Sequence, residues 1–437
     1  MKPLKRSLTG FEIETFIIDN DGKPLNAADT ILKKTEGLSI IKKECAKSLI
    51  EVASLPSETI PDSMTHLLNG LGIITEIAEK HDFRLLPLGC YPGKIEPEMR
   101  QEPRYHVQEA IFGERFKIAG RVAGLHCHYT LPRGIFDSQK RIIKILVSSK
   151  IKDAFVNSYN MLIAADPALT CFMQSSPYYQ CQPIAKDSRI VMYRGGKALR
   201  TKDGLYSDHE DFGGLPHYRL TSLDIVEMIK NRFIDWESII KTVGINIRTV
   251  SMYGSILDTH WGPVKINSHG TLEQRGMDMN HPHLIAASGA IIRFVLKKLQ
   301  EEYYSLTPSD VGVRQPFKIE GDRIHIPPFS YVNNTLQAES AYKGLENPEV
   351  FRYCSRFLKF AKAAMPPDRR RMVRPFDDML EYKETTSDLI RKEARKKGYS
   401  THESISQETA MEIAVDQSQK LSNEVIKVKE MIAEYSY

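Results

Sequence analysis

An α+β fold, with a mostly antiparallel sheet flanked by helices, is what the pattern of these 437 residues predicts. Strand-like and helix-like stretches are interspersed along the chain. They lack the regular short alternation of a doubly wound parallel sheet. The first strand also runs directly into a strong turn, which makes an antiparallel neighbour its natural continuation.

That first strand is Phe11 to Ile18, alternating and rich in β-formers, followed by the turn Asn20-Asp21-Gly22-Lys23-Pro24. Further strand-like stretches are Lys47 to Ser54, Arg84 to Gly89, Val122 to Leu131, Val264 to Asn267 and Thr271 to Met277. Helical periodicity marks Asp62 to His81, Gln139 to Ala165, Leu223 to Lys241 and Leu284 to Tyr304. The stretch Tyr193 to Tyr218 carries Gly195, Gly196, Gly204, Gly213 and Gly214 among charges and aromatics, and reads as a mobile excursion that would serve as a lid. From Phe376 the chain is polar, charged and helical in pattern, with Gly398 and Ser400 marking a break. The expected organisation is one unit over 1–375 with a helical extension over 376–437 packed on it.

Composition bounds the function. At 41% hydrophobic and 26% charged the chain can bury a sizeable core. A net charge of +5 over 60 basic and 55 acidic residues is too weak to imply nucleic acid, though it suits an anionic substrate such as a phosphate. The basic run Asp368 to Arg374, set between Pro366-Pro367 and Pro375, reads as a solvated connector. Six cysteines without a Cys-x-x-Cys pair indicate neither a zinc cluster nor a disulfide framework, so a reducing compartment is expected. Met1 to Arg6 is basic, but Glu12 and Glu14 break the apolar run after it, and no stretch approaches the roughly 20 apolar residues of a membrane span. A cytoplasmic protein with no membrane partner is the expectation.

Four segments carry chemistry. In Gly10-Phe11-Glu12-Ile13-Glu14 a strand puts both glutamates on one face, about 6.6 Å apart along the chain, and like charges so close need a cation. In Leu49-Ile50-Glu51-Val52-Ala53 a carboxylate interrupts an apolar run, which is costly unless it is paired or bound to metal; Glu44 precedes it. Such oxygen ligands are what Mg²⁺ requires, with ATP phosphates completing its shell. In Gly124-Leu125-His126-Cys127-His128 the histidines share a face and Cys127 takes the other, which argues against a zinc site and leaves Cys127 as core. In Thr271-Leu272-Glu273-Gln274-Arg275, Glu273 and Arg275 share a face, offering a metal-binding carboxylate and a guanidinium for phosphoryl oxygens. Taken alone, each segment also fits an ordinary solvent-facing strand or a local ion pair.

In this order the segments resemble the glutamate-cysteine ligase superfamily, in particular its second family of carboxylate-amine ligases. Gly10 to Glu14 is similar to the family's Gly-x-Glu-x-Glu strand, and Glu44 to Pro56 to its spaced acidic segment, with Ser54-Leu55-Pro56 replacing the usual close. Arg104-Tyr105, Gly124-Leu125-His126 and Gly270-Thr271-Leu272-Glu273-Gln274-Arg275-Gly276-Met277-Asp278 resemble its Arg-Tyr, Gly-x-His and Gly-Thr-x-Glu-x-Arg-x-x-Asp signatures.

The resemblance implies a curved sheet of the glutamine synthetase/guanidino kinase kind, with 1–375 as the catalytic domain. It implies Glu12, Glu14, Glu44, Glu51, His126 and Glu273 as Mg²⁺ ligands, Mn²⁺ being a substitute. Arg275, Glu273 and Arg189 are the implied catalytic residues, and Arg104, Lys265 and His128 face the nucleotide or a substrate carboxylate. Lys265 stands where an arginine is common and His128-Tyr129 where His-Val-Gly is common, which loosens the substrate assignment. The implied reaction is ATP-dependent amide formation between a carboxylate, the γ-carboxylate of glutamate in the best-known case, and an amine such as cysteine, through an acyl phosphate. Partners are then small amino acids and amines, and a homo-oligomer stays open. The alternatives are a guanidino phosphotransferase and a non-catalytic binding member.

Overall fold

The computed structural model describes residues 7–144, 149–246, 248 and 254–435. The basic segment Met1 to Arg6 lies outside the described residues. The expected α+β architecture is what the chain adopts. Among the described residues, seven strands form one sheet in the order β2 (Ile41–Lys43), β3 (Leu49–Ala53), β1 (Thr9–Asp19), β5 (Gly124–Thr130), β9 (Thr271–Asp278), β8 (Val264–Asn267), and β4 (Phe83–Leu86) pairs with the far end of β1. Every pairing in this sheet is antiparallel. A short hairpin, β6 (Phe136–Asp137) with β7 (Ile142–Ile143), and a small sheet of β10 (Ser305–Pro308), β11 (Lys318–Glu320) and β12 (Arg323–Ile326) lie apart from it.

The two faces of the sheet differ, as period-two alternation requires. On β1, Phe11, Ile13, Thr15 and Ile17 are fully covered, and helices Ile60–Lys80 and Pro282–Glu302 pack on this strand. The fit is close: a Cβ on Gly289 would stand 2.3 Å from the Phe11 ring. Glu12 and Glu14 alternate with these residues and take the opposite face. Helix Ile60–Lys80 starts where Thr59 accepts the Asp62 amide and Pro61 fixes the first turn. The long C-terminal helix Gln407–Tyr435 packs against Ile60–Lys80, β4 and Pro282–Glu302.

Two expectations need correction. Gln139 to Ala165 is not one helix: β7 occupies Ile142–Ile143, Arg141 turns the hairpin at φ 52°, and the helix is Lys150–Phe172, begun by Ser149. Residues 145–148 of that stretch lie outside the described residues. The excursion Tyr193 to Tyr218 is a packed layer, with Leu199, Leu205 and Tyr206 fully covered. Its glycines serve close approach, since Gly195 takes φ 59° and a Cβ on it would meet the Gly204 Cα at 2.8 Å.

Beneath the sheet, Arg194 pairs with Asp166 through two hydrogen bonds of 2.6 and 2.9 Å, and both side chains are buried. Gln274 of β9 donates to the same carboxylate at 2.8 Å. Gly276 has to be glycine here, because a Cβ would fall 2.1 Å from the Arg194 guanidinium.

Candidate functional site

Strand register assembles the site. Across the sheet Gly10 faces His128, His128 faces Glu273, and Glu273 faces Lys265. The next rows set Glu12 opposite His126, and Glu14 opposite Glu51, which faces Lys42. Between Gln274 and Met277, β9 advances further than β5 does between Cys127 and Leu125, so a bulge falls at Arg275-Gly276. Bulges re-aim a side chain, and this one leaves Arg275 over the acidic row, with Nη1 3.4 Å from Glu273 Oε1.

Distances within the cluster are short. His128 Nε2 lies 3.3 Å from Glu12 Oε2, and His128 Nδ1 3.0 Å from the Thr271 hydroxyl. His126 sits among three carboxylates, 3.6 Å from Glu12, 3.7 Å from Glu14 and 3.7 Å from Glu273. Asn267 donates to the second Glu273 oxygen at 2.6 Å. Glu14 accepts the Gly124 amide at 2.6 Å, which ties β1 to the start of β5.

The surroundings separate the carboxylates into two kinds. Burial would push Glu273 up, but Arg275, His128 and Lys265 hold it down at about 2. Burial likewise opposes the ionisation of Glu12, and hydrogen bonds to His126 and His128 keep it well below the usual carboxylate range. Glu44 goes the other way, pushed well above that range by burial and by Glu14 and Glu51. Glu51 is raised by burial and by Glu12, against the pull of Lys42. Negative charge is therefore only partly compensated at this end of the site.

A divalent cation fits these residues. One ligand atom each from Glu12, His128 and Glu273 lies within 4.8 Å of the other two, and His126 Nε2 is buried without a hydrogen-bond partner. His128, expected on the nucleotide side, thus joins Glu12 and Glu273, while His126 stands beside that trio. Glu14, Glu44 and Glu51 line the same cavity. It encloses about 400 Å³ and is also lined by Arg104, Arg189, Lys265 and Arg275.

The basic residues are not equivalent. Arg189, on helix Ser188–Arg194, donates to the backbone carbonyls of Gly276 and Arg275 at 3.1 and 3.4 Å. Part of its guanidinium therefore braces β9, while its Nε is buried without a partner. Arg104, in helix Pro103–Phe112, stacks 4.4 Å from the Tyr105 ring centroid and also donates to that hydroxyl. Lys265 is buried, 3.7 Å from Asp258, and burial together with Arg275 lowers its pKa.

Sequence reasoning missed Lys42, whose Nζ lies 2.9 Å from Glu12 and 2.8 Å from Glu51. The only signal was its place two residues before Glu44, on a strand three residues long. It gave no role to Trp261 and Tyr193, which line the cavity wall and pack against Tyr206, the first stacked and the second edge-on. Cys127 is fully covered on the helix side, as expected, and burial raises its thiol pKa.

Comparison with known proteins gives the family and the fold. The description Glutamate-cysteine ligase family 2 (GCS2) matches residues 8–321. A provisionally named glutamate–cysteine ligase 2 of Chloroflexus aurantiacus is 28% identical over 131 residues, which is 28% of this chain and 33% of that protein. The alignment thus spans about a third of the relative's length, and a Chloroflexus aggregans protein of the same name matches equally. Among solved structures, glutamate–cysteine ligase from Francisella tularensis in complex with AMP superposes with a TM-score of 0.60 at 14% identity, covering 98% of this chain and 93% of that one. A bifunctional glutathione synthetase from Pasteurella multocida gives 0.61 at 13%, covering 96% of this chain and 53% of that one. At such identities the structural likeness concerns the fold.

Proposed function

The chain belongs to the glutamate-cysteine ligase family 2, and from that premise we propose that it is a Mg²⁺- and ATP-dependent ligase joining a carboxylate to an amine through an acyl phosphate. The single observation that supports this best is the charge layout of the cavity, a carboxylate–histidine cluster at one end and Arg275 and Lys265 beside it. The γ-carboxylate of glutamate is the proposed acid and an amino acid such as cysteine the proposed amine.

A carboxylate is a poor electrophile at neutral pH, so the reaction needs a leaving group on it. In the proposed sequence a carboxylate oxygen of the substrate attacks the γ-phosphorus of ATP, ADP leaves, and the amine then attacks the acyl carbon and expels phosphate. The side chains orient and neutralise; none has to form a covalent bond. Arg275 covers the transferring group, and Lys265 and Arg104 receive phosphate or carboxylate oxygens. Glu12, His128 and Glu273, with His126, Glu14, Glu44 and Glu51 beside them, would hold Mg²⁺, which when bound neutralises phosphate oxygens. Tyr193 and Trp261 form a wall that keeps water from an activated acyl group.

The test is a screen of amino acids and amines with ATP and Mg²⁺, scored by ADP release and product mass. Phosphate release that requires both an acid and an amine is the expected result; a stable phosphorylated guanidine without phosphate release would replace the ligase by a phosphotransferase.

Metal binding carries its own prediction. Glu44 and Glu51 have raised pKa values, so at a pH below those values each holds a proton that a cation must displace. Mg²⁺ affinity should therefore rise with pH. Calorimetric titration with Mg²⁺ in buffers of different ionisation enthalpy is expected to show net proton release that shrinks as pH increases. Binding without proton exchange at any pH would show that these two carboxylates take no part.

A further inference from the structure

A second cavity, of about 500 Å³, shares no lining residue with the first. Tyr193 lines the reaction cavity and its chain neighbour Arg194 lines the second, so the end of helix Ser188–Arg194 divides them. The second cavity opens beside helix Ser222–Thr242, and Arg219 and Arg232 line it. Among the described residues neither guanidinium makes an ion pair. Arg232 is hydrogen-bonded to the Tyr159 hydroxyl, and Arg219 Nε is buried with no hydrogen-bond partner. Burial and the charge of Arg219 disfavour the charged form of Arg232 and Asp211 offsets them only in part, so two cations sit close together with incomplete compensation. That arrangement is costly in a protein and is relieved by a bound anion.

Besides Arg194, Arg219 and Arg232, the wall carries acidic residues, Glu210 and Asp224 among them. Asp211, Glu227 and Asp235 line the same cavity and are exposed, and among the described residues they form no ion pair with either arginine. Behind Arg232, a gap of about 20 Å³ is lined by Arg232, His260 and Lys265, and Lys265 also lines the reaction cavity. His260 is 6% exposed and its Nε2 has no partner, so a polar atom waits in that gap as well. The volume of the second cavity lies in the range of small-molecule sites, roughly 300–1,000 Å³. A purely anionic ligand would satisfy the arginines and face these carboxylates unfavourably. A zwitterion satisfies both.

We propose that this cavity binds a free α-amino acid at a site separate from the reacting atoms, its carboxylate between Arg219 and Arg232 and its ammonium toward Asp211, Glu227 and Asp235. This inference does not depend on the reaction assigned above. The experiment uses the full chain carrying Glu273→Gln, which disables the proposed reaction cavity. It is titrated calorimetrically with each of the common L-amino acids, with their N-acetyl derivatives, and with inorganic phosphate. At least one L-amino acid is expected to bind, roughly ten-fold or more weaker after Arg219→Gln, with a similar loss after Glu227→Gln. Glu227 is exposed on its helix, so its substitution leaves the fold intact and keeps the test valid should Arg219→Gln destabilise the chain. The N-acetyl derivatives, which lack the ammonium, should bind weakly. Absence of amino-acid binding, binding indifferent to both substitutions, or equal binding of phosphate and N-acetyl derivatives would each overturn the proposal, the last by showing an anion site only.

Discussion

Arg275→Ala is expected to lower turnover by roughly 10³-fold or more while the chain stays folded. The side chain is held over the acidic row by a bulge and by Glu273, and its charged form is reinforced by Glu273, Tyr193 and Glu14 against burial. In the proposed mechanism that fixed positive charge offsets the negative charge developing on the transferring phosphoryl group. Losing it leaves the fold supported, because the Arg275 amide still bonds to the Pro263 carbonyl at 2.8 Å and Glu273 retains Lys265, His128 and Asn267. Steady-state turnover with a thermal melt in parallel checks this. A variant within ten-fold of the parent would remove Arg275 from the mechanism.

The largest expected loss of stability is elsewhere, at Asp166. Asp166→Ala leaves the Arg194 guanidinium buried with only Gln337 to receive it, and leaves Gln274 without its acceptor. Breaking one side of a buried pair costs about 3–5 kcal/mol, to be read as the loss of unfolding free energy in urea. Gln274 lies between Glu273 and Arg275 on β9, so the damage should also reach turnover. A double substitution, Asp166→Ala with Arg194→Met, removes the orphaned charge and is expected to recover part of the stability. No difference between the single variant and the parent would mean that water replaces the carboxylate without cost.

What was legible in the sequence followed local periodicity. Glu12 and Glu14 alternate with covered residues, Glu51 interrupts an apolar run, and His126 with His128 and Glu273 with Arg275 share a face, so each could be read within its own strand, and β8 falls on the expected Val264–Asn267. Pairing register could not. Only the facing of His128 with Glu273, while His126 faces Glu12, shows which histidine shares the three-ligand cluster. Lys42 was hidden because β2 has too few residues to show a period. The helix expected over Gln139 to Ala165 failed at Arg141, a left-handed turn residue without a glycine or asparagine to announce it. The glycines of Tyr193 to Tyr218 signalled a special backbone, but glycine serves tight packing as readily as motion, and here it permits packing. Arg219 and Arg232 meet only through tertiary structure, and nothing in their spacing marks them.

Activation of a carboxylate by ATP is the central step of the proposed reaction. With the acid and amine found in the screen, the acid is supplied with ¹⁸O in its carboxylate and the released phosphate is analysed by mass. Attack of that carboxylate on the γ-phosphorus predicts that each phosphate released carries one ¹⁸O from the acid. Phosphate free of the label, formed together with the amide, would contradict it.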